Sequence, residues 1–223
     1  MNAHQQTPTA PNAARARTSR LPLAPTGGGS PGGGPPTVTR ILGITGSLRH
    51  DSHNRKLLDA AAKTLRPGTE MVLFKRIKEI PPFDEDDEPD PAPAVAWLRA
   101  QIADADAVLI ATPEYNGSLP GQLKNALDWA SRPYETNVLQ GKPVAVIGAS
   151  PSPGGTAHAN ADTCRILARI GAHVSEQTLL VPRAFAQLKA DGTPASYALR
   201  QQLAQVTSSL AAAAGAARQA RAA

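Results

Sequence analysis

Apolar residues in this chain come in short unbroken runs, and most of these runs stop at a turn signal. Val38 to Thr45, Glu70 to Phe74, Ala107 to Thr112, Pro143 to Ala149 and His173 to Val181 read as five strands. Runs this short, with little polar alternation, suit strands buried on both faces. Between them the apolar positions recur every three or four residues. Leu57, Leu58, Ala61 and Leu65 mark a helix over 54–65, and another follows over 95–103. Leu123, Ala126, Leu127 and Ala130 mark a helix over 121–131. A fourth runs from about 156 to 170 with Gly171 as its C-cap, and a last from 195 to about 210. Strand and helix alternating in this way predict a parallel sheet with helices on both faces. Right-handed crossovers favour the strand order 2-1-3-4-5.

The two ends of the chain break this pattern. Residues 1–36 are rich in Pro, Gly, Ala and Thr and hold few large apolar side chains. They read as a disordered, dispensable extension, since little burial offsets the entropy of ordering. An organellar transit peptide is the rival reading of this Arg-bearing, acid-free stretch, but frequent Pro and the lack of an amphipathic helix weaken it. The Ala-rich residues 211–223 are expected to fray, leaving 37–210 as the folded domain. The net charge of +5 changes the picture little. Arg15, Arg17 and Arg20 lie in the first extension, Arg218 and Arg221 in the last. With these set aside, 18 basic residues face 18 acidic ones, so no nucleic-acid face is expected. Cys164 is the single cysteine and reads as a small core residue, which rules out an internal disulfide and a Cys-rich metal site. The acidic segment 83–91 lacks ligand spacing of the EF-hand kind and reads as a solvated loop, so no metal is expected. No apolar run approaches the roughly 18 residues that span a bilayer, and a cytoplasmic protein is the expectation.

Candidate chemistry sits in three loops that follow the first, third and fourth strands. In a sheet of the expected order these loops meet at the switch point, where ligands bind at carboxyl strand ends. The first, Gly46-Ser-Leu-Arg49 with Ser52 and Asn54, offers hydroxyls, a guanidinium and a helix N-terminus to an anion. His50 and His53 read as exposed. The second begins where Thr112-Pro113 stops a strand and carries Glu114, Tyr115, Asn116, Gly117 and Ser118. Asn116-Gly117 is a turn pair that tolerates positive φ. The third, Ser150 to Gly155, supplies Ser150, Gly154 and Gly155, stiffened by Pro151 and Pro153.

Pro113-Glu-Tyr-Asn-Gly-Ser-x-Pro-Gly-x-Leu-Lys-Asn-Ala-x-Asp-Trp129, preceded by Gly46-Ser-Leu-Arg49…Ser52-x-Asn54, resembles the paired signatures of the NADPH-dependent FMN reductases. The resemblance covers roughly residues 38–210 and implies a flavodoxin-like three-layer sandwich around a five-stranded parallel sheet. It implies that Ser47, Arg49, Ser52 and Asn54 hold the FMN phosphate. Residues 113–118 would lie along the isoalloxazine, and Ser150, Gly154 and Gly155 at its pyrimidine edge. NADPH, with NADH possible, would deliver hydride, and quinones, azo compounds, chromate or free flavin would accept it in ping-pong turnover. No catalytic side chain is expected, because the flavin carries the reaction. A homodimer or homotetramer is expected to pair across the helix bearing Trp129. Two rivals stand beside this reading: a non-catalytic flavodoxin-type electron carrier, and a flavin-free nucleotide-processing enzyme on a similar fold.

Overall fold

The computed structural model describes residues 38–223, so the extension expected over 1–36 lies outside the described residues. Strands β1 (Thr39–Thr45), β2 (Thr69–Phe74), β3 (Ala107–Ala111), β4 (Pro143–Ala149) and β5 (His173–Val174) lie in the order β2-β1-β3-β4-β5. A further short strand, β6 (Leu179–Val181), also pairs with β4, and every pairing is parallel. This is the flavodoxin-like arrangement. The side chains of each strand alternate between two apolar layers. Leu42, Ile44, Val108, Ile110, Val144 and Val146 pack towards α2 (Pro93–Asp104), α3 (Gly121–Ala130) and α4 (Ala157–Ile170). Ile41, Leu109, Ala111, Ala145 and Ile147 pack towards α1 (His53–Ala62) and α6 (Tyr197–Ala222), with the short α5 (Ala184–Gln187) beside them. No helix among the described residues is long and apolar enough to cross a membrane.

Three details differ from the sequence reading. The fifth strand is broken: Val144 pairs with Val174 and Ile147 with Leu179, so three steps along β4 face five along its partner. The polar Ser175-Glu-Gln-Thr178 bulges out because it has no apolar side chain to place in either layer. The last helix does not fray near Leu210 but continues to Ala222. Alanine is the best helix former, and Leu203, Val206, Leu210 and Ala214 keep one buried stripe running through the Ala-rich end. Arg218, set aside above as a tail charge, pairs with Asp106 at 3.3 Å.

Trp129 is the third difference. It is fully buried within this one chain, so it offers no surface for a partner. Its indole meets Phe83 edge to face at 4.9 Å, and its Nε1 donates to the Pro81 carbonyl at 3.0 Å. Asn125 ties the same segment, accepting from the Phe83 amide and donating to Pro81. The acidic segment expected to be merely solvated is thus anchored at its start, and Arg132 pairs with Glu85 at 3.0 Å. Cys164 is half-buried against the first layer, as expected. Gly171 caps α4 with φ 98°, also as expected.

Near the carboxyl end of β4, Gly148 has no room for a side chain. A Cβ there would lie 2.7 Å from the Thr112 carbonyl oxygen and closer still to the Thr156 hydroxyl. The Thr112 oxygen belongs to backbone and cannot swing aside. Gly148→Ala is therefore expected to destabilise the protein by about 1–3 kcal/mol, the usual cost of overpacking. Equilibrium denaturant unfolding checks this, and an unchanged midpoint would show that the contact relaxes freely.

Candidate functional site

The parallel ladder does not stop where the strands do. Gly46 N–H donates to the Ala111 carbonyl at 2.8 Å, Thr112 N–H to Ile147 at 2.9 Å and Ser150 N–H to Val181 at 3.0 Å. Each of the three candidate loops is therefore rooted on the neighbouring strand by its first amide. Gly46 is a glycine for a packing reason: a Cβ would meet Leu123 of α3 at 3.0 Å and Pro113 at 3.3 Å.

In the first loop, Ser47 and Ser52 are buried and Arg49 is exposed. Ser47 Oγ accepts from the Arg49 amide at 3.4 Å, and Ser52 Oγ caps α1 by accepting from the Arg55 amide at 3.3 Å. Both hydroxyls accept from the backbone and keep a proton to donate. The amides of the first helical turn have no acceptor inside α1, so this corner presents several donors and a guanidinium. Asn54 is placed differently. Its Nδ2 donates to the Ala149 carbonyl at 2.8 Å, and its Oδ1 accepts from the Ala149 amide at 2.9 Å. The side chain is a buried clamp between α1 and the end of β4, not a free donor to an anion. His53, expected to be exposed, is half-buried beside the cleft because it opens α1. Burial pulls its imidazole below the ordinary pKa, and the charges of Lys56 and Arg49 push the same way.

The second loop is a tight hairpin. Tyr115 and Ser118 exchange both backbone hydrogen bonds, at 3.0 and 3.1 Å. Asn116 and Gly117 take φ of 52° and 75°, the pair of left-handed positions that a two-residue primed turn requires. Tyr115 remains 48% exposed. Two carboxylate ties hold this hairpin to α4. Glu114 accepts from the amides of His158 at 2.9 Å and Ala159 at 3.1 Å, at the helix N-terminus. Ser118 Oγ donates to Asp162 at 2.6 Å. Partial burial pulls the Glu114 carboxyl upward, but the amides of Ala159 and His158 and the His158 ring outweigh it and leave the pKa below 4.5. In the third loop, the Ser150 carbonyl accepts from the Ala184 amide at 2.9 Å, and Gly155 has φ 69°.

The three loops enclose a cleft of about 150 Å³. Of the expected site residues, Ser47, Arg49, Ser52, Asn54, Pro113, Glu114, Tyr115 and Ser150 line it. Asn116, Gly117, Ser118, Gly154 and Gly155 do not: the first three shape and tie the hairpin, and Gly154 and Gly155 form the turn before α4. His53, Ala149 and Pro151 also line the cleft, though none of them was expected as a site residue. Ala149 and Pro151 were legible as the strand end and loop that they flank. His53 gave no signal beyond its place at the start of α1. Among the described residues, no group of three or more His, Cys, Asp or Glu is placed to hold a metal ion.

The family model for NADPH-dependent FMN reductase matches residues 39–186. A 2-hydroxy-1,4-benzoquinone reductase from a Burkholderia species is 48% identical over 118 residues, 53% of this chain and 64% of that protein. An NAD(P)H-dependent FMN reductase from Pseudomonas aeruginosa is 49% identical over 121 residues, 54% of this chain and 64% of that protein. The chain thus spans just under two thirds of the length of these curated relatives. The solved structure of FerB, a flavoenzyme NAD(P)H:(acceptor) oxidoreductase from Paracoccus denitrificans, superposes with a TM-score of 0.72 at 34% identity. That match covers 80% of this chain and 98% of FerB.

The Glu114 tie gives the site a pH dependence. A carboxyl whose folded pKa is depressed contributes stability above its unfolded pKa and loses it as pH falls through the folded value. The stability difference between wild type and Glu114→Gln is therefore expected to be full near pH 7 and to shrink below about pH 4.5. Denaturant unfolding of both proteins across that range checks this. A difference that stays constant with pH would mean that the ionised carboxylate is not what holds the hairpin.

Proposed function

The chain belongs to the NADPH-dependent FMN reductase family, and from that membership we propose that it is an NAD(P)H-dependent reductase. In this reading it holds FMN in the three-loop cleft and reduces quinone-class small molecules. One observation carries the reading. Loops after β1, β3 and β4 are rooted on one ladder and converge on a cleft. A donor-rich helix N-terminus with Arg49 lies on one side and the exposed Tyr115 hairpin on another.

The donors at the first loop fit the phosphate end of FMN. The hydroxyls of Ser47 and Ser52, the first-turn amides of α1 and the Arg49 guanidinium form a donor set for a phosphate monoester. The backbone at Ala149 to Pro151 and the hairpin at Pro113 to Tyr115 supply the remaining walls. When bound, FMN supplies the redox chemistry, taking hydride from NADPH or NADH and passing electrons to an acceptor. The chain's own contribution is placement. Glu114 is engaged by the amides of α4 and is not offered as an acid or base. Tyr115 borders the open mouth, where donor and acceptor take turns, which gives ping-pong kinetics. Quinones lead among acceptors, with azo compounds, chromate and free flavin further candidates for so open a site. Pairing of two copies stays in the proposal, resting now on the exposed Tyr115 hairpin, since Trp129 is buried.

The test is steady-state oxidation of NADPH and NADH by the purified, FMN-loaded protein, with a benzoquinone as acceptor. Sustained turnover supports a reductase. FMN bound without turnover supports a flavodoxin-type carrier, and a protein that binds no FMN refutes both. Arg49→Ala is expected to weaken FMN binding about tenfold, at the low end for a charge-assisted contact because Arg49 is exposed. Fluorescence titration with FMN measures it, and unchanged affinity would remove Arg49 from the phosphate site.

A further inference from the structure

On the other side of the first loop lies a second hollow of about 550 Å³, and it shares Ser47, Arg49 and Ser52 with the cleft. Its further walls come from α1, from the segment after β2 and from the turn at Ala190 and Asp191. Its size is that of a small-ligand site. Leu48, 46% exposed, gives it an apolar side, with Phe74 and Ile77 at its floor.

Its charges are unevenly satisfied. Each of its three carboxylates already has a partner. Asp51 pairs with Lys56 at 2.5 Å and Asp59 with Arg55 at 3.3 Å. Asp191 accepts from the amide and hydroxyl of Thr193, both at 2.9 Å. Arg49, Lys75 and Lys78 line the same hollow, and among the described residues none of them has a carboxylate within ion-pairing distance. His50 is there as well. The hollow therefore offers three unpaired cations, an apolar side and direct continuity with the cleft.

This combination suits a phosphorylated nucleoside: a base against Leu48, phosphate against the cations. The proposed reading requires a co-substrate that reaches the cleft from outside, and it is a dinucleotide. Building on that reading, we propose that the hollow receives the adenosine end of NADPH. Lys75 and Lys78 contact its 2′-phosphate, while Arg49 at the shared rim stays with the FMN phosphate. NADH lacks the 2′-phosphate, so the two lysines set the preference between the dinucleotides. Lysine serves here as a compact point charge on a flexible stem and needs no forked geometry.

The experiment uses the FMN-loaded full chain and the double variant Lys75→Ala/Lys78→Ala. Calorimetric titration with adenosine 2′,5′-bisphosphate, AMP and inorganic phosphate reads binding without turnover. The bisphosphate is expected to bind the wild type about tenfold more tightly than AMP, with that margin lost in the variant. In steady state, the KM for NADPH is expected to rise about tenfold in the variant while that for NADH moves little. Equal affinity of the wild type for bisphosphate and AMP would overturn the proposal, as would a margin that survives the double substitution. Tight binding of inorganic phosphate alone, with no gain from adenosine, would overturn it too by showing a bare anion site. Failure of the underlying reading looks different, because the wild type would then oxidise neither dinucleotide. Both lysines are exposed and unpaired, so a thermal melt of the variant is expected to match that of the wild type.

Discussion

The hydrogen-bond ladder of the parallel sheet continues one step past the ends of β1, β3 and β4, and the site depends on that extra step. A loop fixed only by its two ends could take many paths. Here the first amide of each loop donates to the next strand, so the sheet's register sets where the loops begin. Close packing then removes the remaining freedom. Gly46 lies against Leu123 and Pro113, and Gly148 against Thr112 and Thr156, so the first and third strand ends cannot shift independently of α3 and β4. The Asn54 clamp on Ala149 closes the arrangement by joining the start of α1 to the end of β4.

Polar side chains around the cleft divide into two groups by their partners. Asn54, Glu114, Ser118 and Asp162 are spent on protein contacts that fix the backbone. Ser47, Ser52 and Arg49 keep donors available. This division suits a site whose reactive group is a bound cofactor. The protein then needs rigid walls and a few donors, and a free acid or base beside the cofactor is unnecessary.

Much of this was legible in the sequence, for identifiable reasons. The strands, their order and the three loops followed from apolar runs and their stop signals. Asn116-Gly117 announced its hairpin because few residue pairs accept two left-handed positions. What stayed hidden depended on partners distant in sequence. Glu114 and Ser118 each find theirs 44 residues away in α4, and Asn54 reaches across 95 residues to Ala149. Trp129 was misread because its partner, Phe83, sits in a segment whose acidic composition advertised solvent. The length of α6 was readable from the apolar spacing through Ala214, and the Ala-rich composition obscured it.

Asp106 sits just before β3, at the amino edge of the sheet, and gathers the Arg40 amide at 2.8 Å and the Arg218 guanidinium at 3.3 Å. Arg218 also donates to Thr39 at the start of β1. The last turns of α6 are thereby pinned to the edge opposite the three loops. A support, electrode linker or fusion partner attached at the last turns of α6 would sit at the edge opposite the three loops. Attachment through α6 therefore leaves the mouth of the cleft open to solution.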